Sequence, residues 1–174
     1  MINLDMARVN ELAMSALTVV KKLHGTYICK CLYVNGVFSL MLENEGVPTS
    51  LVSGKMVGGF NLGEKDSFRY GYAESGVPDL IDHHVWCVGD NGVIYDAMML
   101  VMDEEMRLTS PSSGEFLLPK TALVNEDTLR TYSEIMDDCE IGLFYSQDAA
   151  CHAETIRLLD AFLKHNEQVI LSHL

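Results

Sequence analysis

The chain is short of positive charge: 12 Lys and Arg stand against 25 Asp and Glu, a formal net charge of −13. A surface of that sign repels phosphate backbones and anionic lipid, which argues against nucleic acid and membrane surfaces as partners. A peptide or protein substrate of basic character is the partner such a surface would favour. Long apolar runs are missing as well. "YDAMMLVM", residues 95–102, stops far short of the roughly eighteen residues that a membrane span requires. The N-terminal "MINLDMARVNELAM" has no basic stretch leading into an apolar one, so no secretory signal is visible. A cytoplasmic location is the expectation, with export by a signal-less route left open. Internal repeats and low-complexity tracts are absent too, which argues against solenoids and disordered linkers.

Cysteine is present without the pattern that would make it structural. The Cys residues number 5, at positions 29, 31, 87, 139 and 151. An odd, scattered set in a chain with no visible signal reads as free thiols rather than a disulfide framework. "CKC" at 29–31, with His24, His83 and His84, invites a zinc reading. It lacks the usual two-to-four residue spacer and a second Cys pair, so no metal and no cofactor is expected.

What is there suffices for one domain, 1–174, with a sizeable core: 174 residues, 48% of them hydrophobic. The loop "TSPSSGE" at 109–115 is the candidate subdomain boundary. Apolar residues at helical spacing predict a helix over 5–23, capped by Asp5 and stopped by Gly25, and a second over about 31–45, stopped by Gly46 and Pro48. "SLVSGKMVGGF" (50–60) and "FRYGY" (68–72) read as strands. "NEDTLRTYSEIMDD" (125–138) reads as a helix capped by Asn125, "CEIGLFYS" (139–146) as a strand, and "DAACHAETIRLLDAFLKH" (148–165) as an amphipathic helix. Early helices, central antiparallel strands and late helices together predict an α+β fold.

The informative stretch is "HHVWCVGDNGVIYDA", residues 83–97. A three-residue "DNG" loop, with Gly92 in the left-handed conformation, would pair Gly89 with Val93, Trp86 with Asp96 and His84 with Met98. His84 and Asp96 then lie on one face as diagonal neighbours, with Cβ atoms about 7–8 Å apart or a little less. A two-residue loop would put them on opposite faces. His83 and Cys87 point to the other face, and His83 is expected to be exposed. A His oriented by an Asp becomes a general base where it meets a thiol or hydroxyl. Cys31 is the favoured partner, because the first turn of a helix stabilises a thiolate. Cys29 is the alternative if the helix starts earlier.

The segment "CLYVNGVFSLMLENEGVPTSLVSG" (31–54), followed by "HVW" (84–86) and "VIYDA" (93–97), resembles the transglutaminase-like, papain-related cysteine enzymes. Those carry a Cys at a helix start, then a "G-[IV]-P-x-x-x-V-x-G" stretch, then His and Asp in that order. The resemblance implies a nucleophile helix packed on a central antiparallel sheet. It also implies Cys31 as nucleophile, His84 as general base and Asp96 as its orienting partner. The Cys31 backbone N–H and the side chains of Tyr27 or His24 are candidate oxyanion donors. Trp86 is either a wall of the site or a core aromatic. The expected chemistry is hydrolysis of a peptide or amide bond, or acyl transfer, through a thioester. The alternative is a catalytically inactive transglutaminase-like protein acting as a binding module. Gly36, inside the second helix, would let that helix pack closely on the sheet, and residues 98–174 are assigned no part in the mechanism.

Overall fold

A computed structural model describes residues 4–59, 67–70, 83–109, 116–138 and 140–174. The fold is α+β. Helix α1 (Met6–His24) starts where the Asp5 carboxylate accepts the Arg8 amide at 2.8 Å, and stops where Gly25 takes φ 77° and donates to the Lys21 carbonyl at 2.8 Å. Its buried face, from Val9 through Leu12, Ala13, Ala16 and Leu17 to Val20, packs on α2 (Cys31–Asn44). Apolar almost all round, α2 is the central helix, buried from Val34 to Ser39 and again at Met41 and Leu42. Gly46, at φ 79°, turns the chain out of it into β1 (Thr49–Gly59).

Long strand β1 organises an antiparallel sheet, six-stranded among the described residues. Its first half pairs with β3 (His84–Gly89), Val52 opposite Trp86 and Gly54 opposite His84. The second half pairs with β6 (Gly142–Gln147) and with β2 (Ser67–Tyr70). The order β2-β1-β3-β4-β5 is completed by the two-residue strands β4 (Ile94–Tyr95) and β5 (Leu123–Val124). Helix α3 (Met102–Thr109) follows a 3₁₀ turn over Ala97–Leu100, and α5 (Ala149–His165) and α6 (Glu167–Leu171) close the chain. The "TSPSSGE" boundary lies, apart from Thr109, outside the described residues.

Three expectations need correction. The 125–138 segment is not one helix. A 3₁₀ turn (Glu126–Thr128) gives way to extended chain, because Leu129 bridges to Leu143 and the Arg130 amide donates to the Leu143 carbonyl at 2.9 Å. Helix α4 (Tyr132–Met136) then begins on a Thr131–Glu134 capping box. Gly36 packs against α5 rather than the sheet: a Cβ there would lie 2.3 Å from Cδ1 of Leu159. Finally, the predicted His84–Met98 pair does not form, because Asp96 ends the strand and caps the 3₁₀ turn that contains Met98.

Candidate active site

The hairpin register agrees with the odd loop. Cys87 pairs with Tyr95 and Val88 with Ile94, the Gly89 amide donates to Val93 at 2.9 Å, and Gly92 sits at φ 80°. That register brings His84 and Asp96 together. The imidazole Nε2 lies 2.6 Å from Asp96 Oδ2, with His84 only 1% exposed and Asp96 fully buried.

Asp96 is a caged carboxylate. Its Oδ2 also accepts the Tyr145 hydroxyl at 3.0 Å, while Oδ1 accepts the Met98 amide and Asn35 Nδ2, each at 3.1 Å. Burial alone would raise this carboxyl, but the His84 charge and the hydrogen bonds from His84, Asn35 and Tyr145 hold it below its usual value. Burial and the Asp96 charge push the Tyr145 phenol well up, so it remains a protonated donor. For His84, burial works against the charged form. The Asp96 charge and hydrogen bond outweigh it, and Cys31 adds a further hydrogen bond and charge, bringing the imidazole up to about 10.

Cys31 opens α2, half-buried, with Sγ 3.6 Å from the His83 carbonyl oxygen. Nε2 of His84 meets Asp96, and Cys31 hydrogen-bonds to the same imidazole. Carboxylate, imidazole and thiol therefore stand in sequence. Such a set can hold an imidazolium beside the sulfur, its positive charge stabilised by the carboxylate, and so favour a thiolate and supply a proton to a leaving group. The Cys31 amide occupies the first helical position, where a backbone N–H has no intrahelical partner. Trp86, 3% exposed, lies against Tyr145 at 5.1 Å and His84 at 6.2 Å between ring centroids, so it is both a core aromatic and a flank of the imidazole.

The two side-chain oxyanion candidates sit elsewhere in the local network. The Tyr27 hydroxyl donates to Glu104 of α3 at 2.5 Å, and that bond and partial burial push the phenol up to about 12. His24 stacks on Tyr33 and Phe162, at 4.9 and 5.4 Å. Cys29 occupies a turn at φ 55°, exposed, with Glu105 beside it. His83 is not exposed: only 7% of it is accessible, and its Nε2 is 3.8 Å from Asp148, at the head of α5. The Cys87 thiol is buried and donates to the Asn35 carbonyl at 3.3 Å. Cys139 lies outside the described residues, and Cys151 falls in α5. Among the described residues, no group of three or more His, Cys, Asp and Glu is placed to hold a metal ion.

Two residues of the site went unassigned in the sequence. Asn35, one helical turn beyond Cys31 and fully buried, donates from Nδ2 to the Val85 carbonyl at 2.6 Å as well as to Asp96; its Oδ1 accepts the Ala97 amide at 2.9 Å. It therefore ties the Cys31 helix to β3 and to the carboxylate together. A single amide in the apolar run "CLYVNGVFSLML" was the available signal. Tyr145 comes from β6, within the half of the chain that was given no part in the mechanism, and only the β1–β6 pairing delivers it.

Among the described residues no helix is long and apolar enough to cross a membrane. No family model and no curated protein matches the chain. Its structure is similar to one described as "The crystal structure of genomics APC5867", at 12% identity and a TM-score of 0.63, over 98% of this chain and 76% of that one. At that identity the likeness concerns the fold alone.

Proposed function

We propose that the chain is a thiol hydrolase or acyl transferase of the transglutaminase-like, papain-related kind, acting on a peptide or amide bond. The observation that carries this reading is the buried imidazole of His84, bonded to the caged Asp96 carboxylate on one side and set against Cys31 on the other. In the proposed reaction the Cys31 sulfur, as a thiolate beside the His84 imidazolium, attacks the carbonyl carbon. The His84 imidazolium gives its proton to the leaving amine, and water or a second amine resolves the thioester. Asp96 holds the imidazolium through both steps without itself taking the proton. The Cys31 amide is the proposed oxyanion donor, because the Tyr27 hydroxyl is engaged by Glu104.

A small activated ester tests this without knowledge of the natural substrate. With p-nitrophenyl acetate at neutral pH, the expected result is a burst of about one equivalent of nitrophenolate, with acetyl found on Cys31 by peptide mass spectrometry. Hydroxylamine should then discharge it, and Cys31→Ala should abolish the burst. Acetylation of Cys31 no faster than that of the other thiols would overturn the reading in favour of a binding module.

A further inference from the structure

We infer that Cys29 and Cys31 form a reversible redox pair in which Cys29 resolves an oxidised Cys31 as a disulfide that blocks the proposed nucleophile; this rests on the reading of Cys31 as a reactive thiol. Both sulfurs are free thiols in the structure. They sit two residues apart across a tight bend rather than along an extended strand. The Lys30 amide closes a turn onto the Tyr27 carbonyl at 3.1 Å, Cys29 takes φ 55°, and Lys30 has φ −118° and ψ 26° before the helix begins. With consecutive Cα atoms about 3.8 Å apart, such a bend brings the outer two Cα atoms to roughly 5.5–6 Å. That lies inside the range of about 4.4–6.8 Å that disulfides span. A left-handed backbone at a residue other than glycine is a conformation that surrounding structure has to impose, and such strain concentrates at functional positions.

The two thiols differ in the way a resolving pair needs. Cys31 is half-buried beside His84, whereas Cys29 is exposed, with the Glu105 carboxylate of α3 beside its thiol. Burial and the neighbouring Glu105 carboxylate raise the Cys29 thiol, so Cys29 is the slower of the two to meet an oxidant and waits as the resolving partner. The step balances with a peroxide as oxidant. The Cys31 thiolate attacks one peroxide oxygen, the O–O bond breaks, and Cys31 becomes a sulfenic acid as the peroxide is reduced to alcohol or water. The Cys29 sulfur, on losing its proton, displaces hydroxide from the Cys31 sulfur; the S–S bond forms and proton and hydroxide leave as water. An external dithiol returns two electrons and restores both thiols. Because the ring is small and its backbone strained, this disulfide should belong to the easily reduced kind.

The test uses the whole chain. It is exposed to a few equivalents of hydrogen peroxide at pH 7.5, quenched with N-ethylmaleimide and digested with trypsin, which cuts after Lys30 between the two cysteines. The expected product is a linked pair of peptides two hydrogens lighter than the reduced pair, restored by dithiothreitol, with acetylation by p-nitrophenyl acetate lost and regained in parallel. Cys29→Ser should instead carry Cys31 on to the sulfinic acid, which dithiothreitol does not reverse. If Cys31 in the native chain oxidises rapidly to sulfinic acid while Cys29 stays open to the maleimide, the redox pair is wrong and the reactive thiol stands. If Cys31 meets peroxide no faster than the other thiols, both fail.

Discussion

Replacing Asp96 by Asn keeps the shape of the carboxylate and removes its charge, and the hydrogen bonds around it fix the outcome. Asp96 accepts four of them, from His84, Tyr145, Asn35 and the Met98 amide. An amide has one oxygen to offer. If that oxygen keeps the Met98 and Asn35 donors, its NH₂ faces His84 Nε2 and the Tyr145 hydroxyl. The hydroxyl can rotate to accept. The imidazole satisfies the new donor only by releasing its Nε2 proton and keeping Nδ1–H towards Cys31, which is the wrong tautomer for a base. Loss of Cys31 acetylation, the readout of the proposed activity, on the order of 10⁴-fold is the expected scale for that error.

The stability change carries a pH signature. His84 is raised from 6.5 to about 10 in the folded state, so the stabilisation from its charged form is fully present below pH 6.5. It is lost as pH rises through about 10. Asp96 is lowered, so its contribution is present above its usual value near 3.8 and is lost only as pH falls below that. The pair therefore stabilises most between about pH 4 and 6.5. At about 1.4 kcal/mol per pH unit the His84 shift is on the order of 5 kcal/mol, close to the roughly 3–5 kcal/mol lost on breaking a buried pair. Asp96→Asn should thus lose about 3–5 kcal/mol at pH 6 and only about 1 kcal/mol, one hydrogen bond, at pH 10. Guanidinium unfolding at the two pH values measures this, and ring ¹H–¹⁵N correlations report the His84 tautomer. A loss that is the same at both pH values, or a doubly protonated His84 persisting in the variant, would refute the reasoning.

Asn35→Ala leaves the Ala97 amide and the Val85 carbonyl without their buried partner, and should lose about 2–4 kcal/mol in a urea titration; a loss below about 0.5 kcal/mol would mean the tie is dispensable. Tyr145→Phe removes one donor from the carboxylate and should lose about 1 kcal/mol while leaving Cys31 acetylation within roughly tenfold, because the His84 bond remains. Gly36→Ala puts a methyl into Leu159; overpacking of about 1–3 kcal/mol should exceed the gain in helix propensity of about 1 kcal/mol. The same substitution should turn neutral or stabilising in a Leu159→Ala background, a non-additivity that unfolding of the native chain, the two single variants and the double variant would measure.

How much of this the sequence revealed depends on whether a contact is local. The His84–Asp96 approach was legible because hairpin geometry fixes register over a dozen residues, and "DNG" specifies the loop. The termini of α1 were legible for the same reason, since Asp5 and Gly25 act within one turn. Contacts that cross the chain were not. Tyr145 reaches Asp96 through a strand pairing nearly fifty residues away. Leu159 reaches Gly36 through helix packing, and His83, which strand alternation alone made exposed, is buried with its ring 3.8 Å from Asp148. The broken helix at 125–138 is an intermediate case. "TYSE" is a readable capping box at 131–134, but the pull of Leu143 on Leu129 and Arg130 is not local.

The most direct test of the central claim is the rate at which Cys31 is alkylated by iodoacetamide between pH 5 and 9, followed by peptide mass spectrometry in the native chain and in His84→Ala. The account predicts that Cys31 reacts fastest of the five thiols at pH 6 and that His84→Ala removes the advantage. A Cys31 that reacts like the other thiols in both proteins would contradict it, leaving Cys31, His84 and Asp96 together without a charged nucleophile.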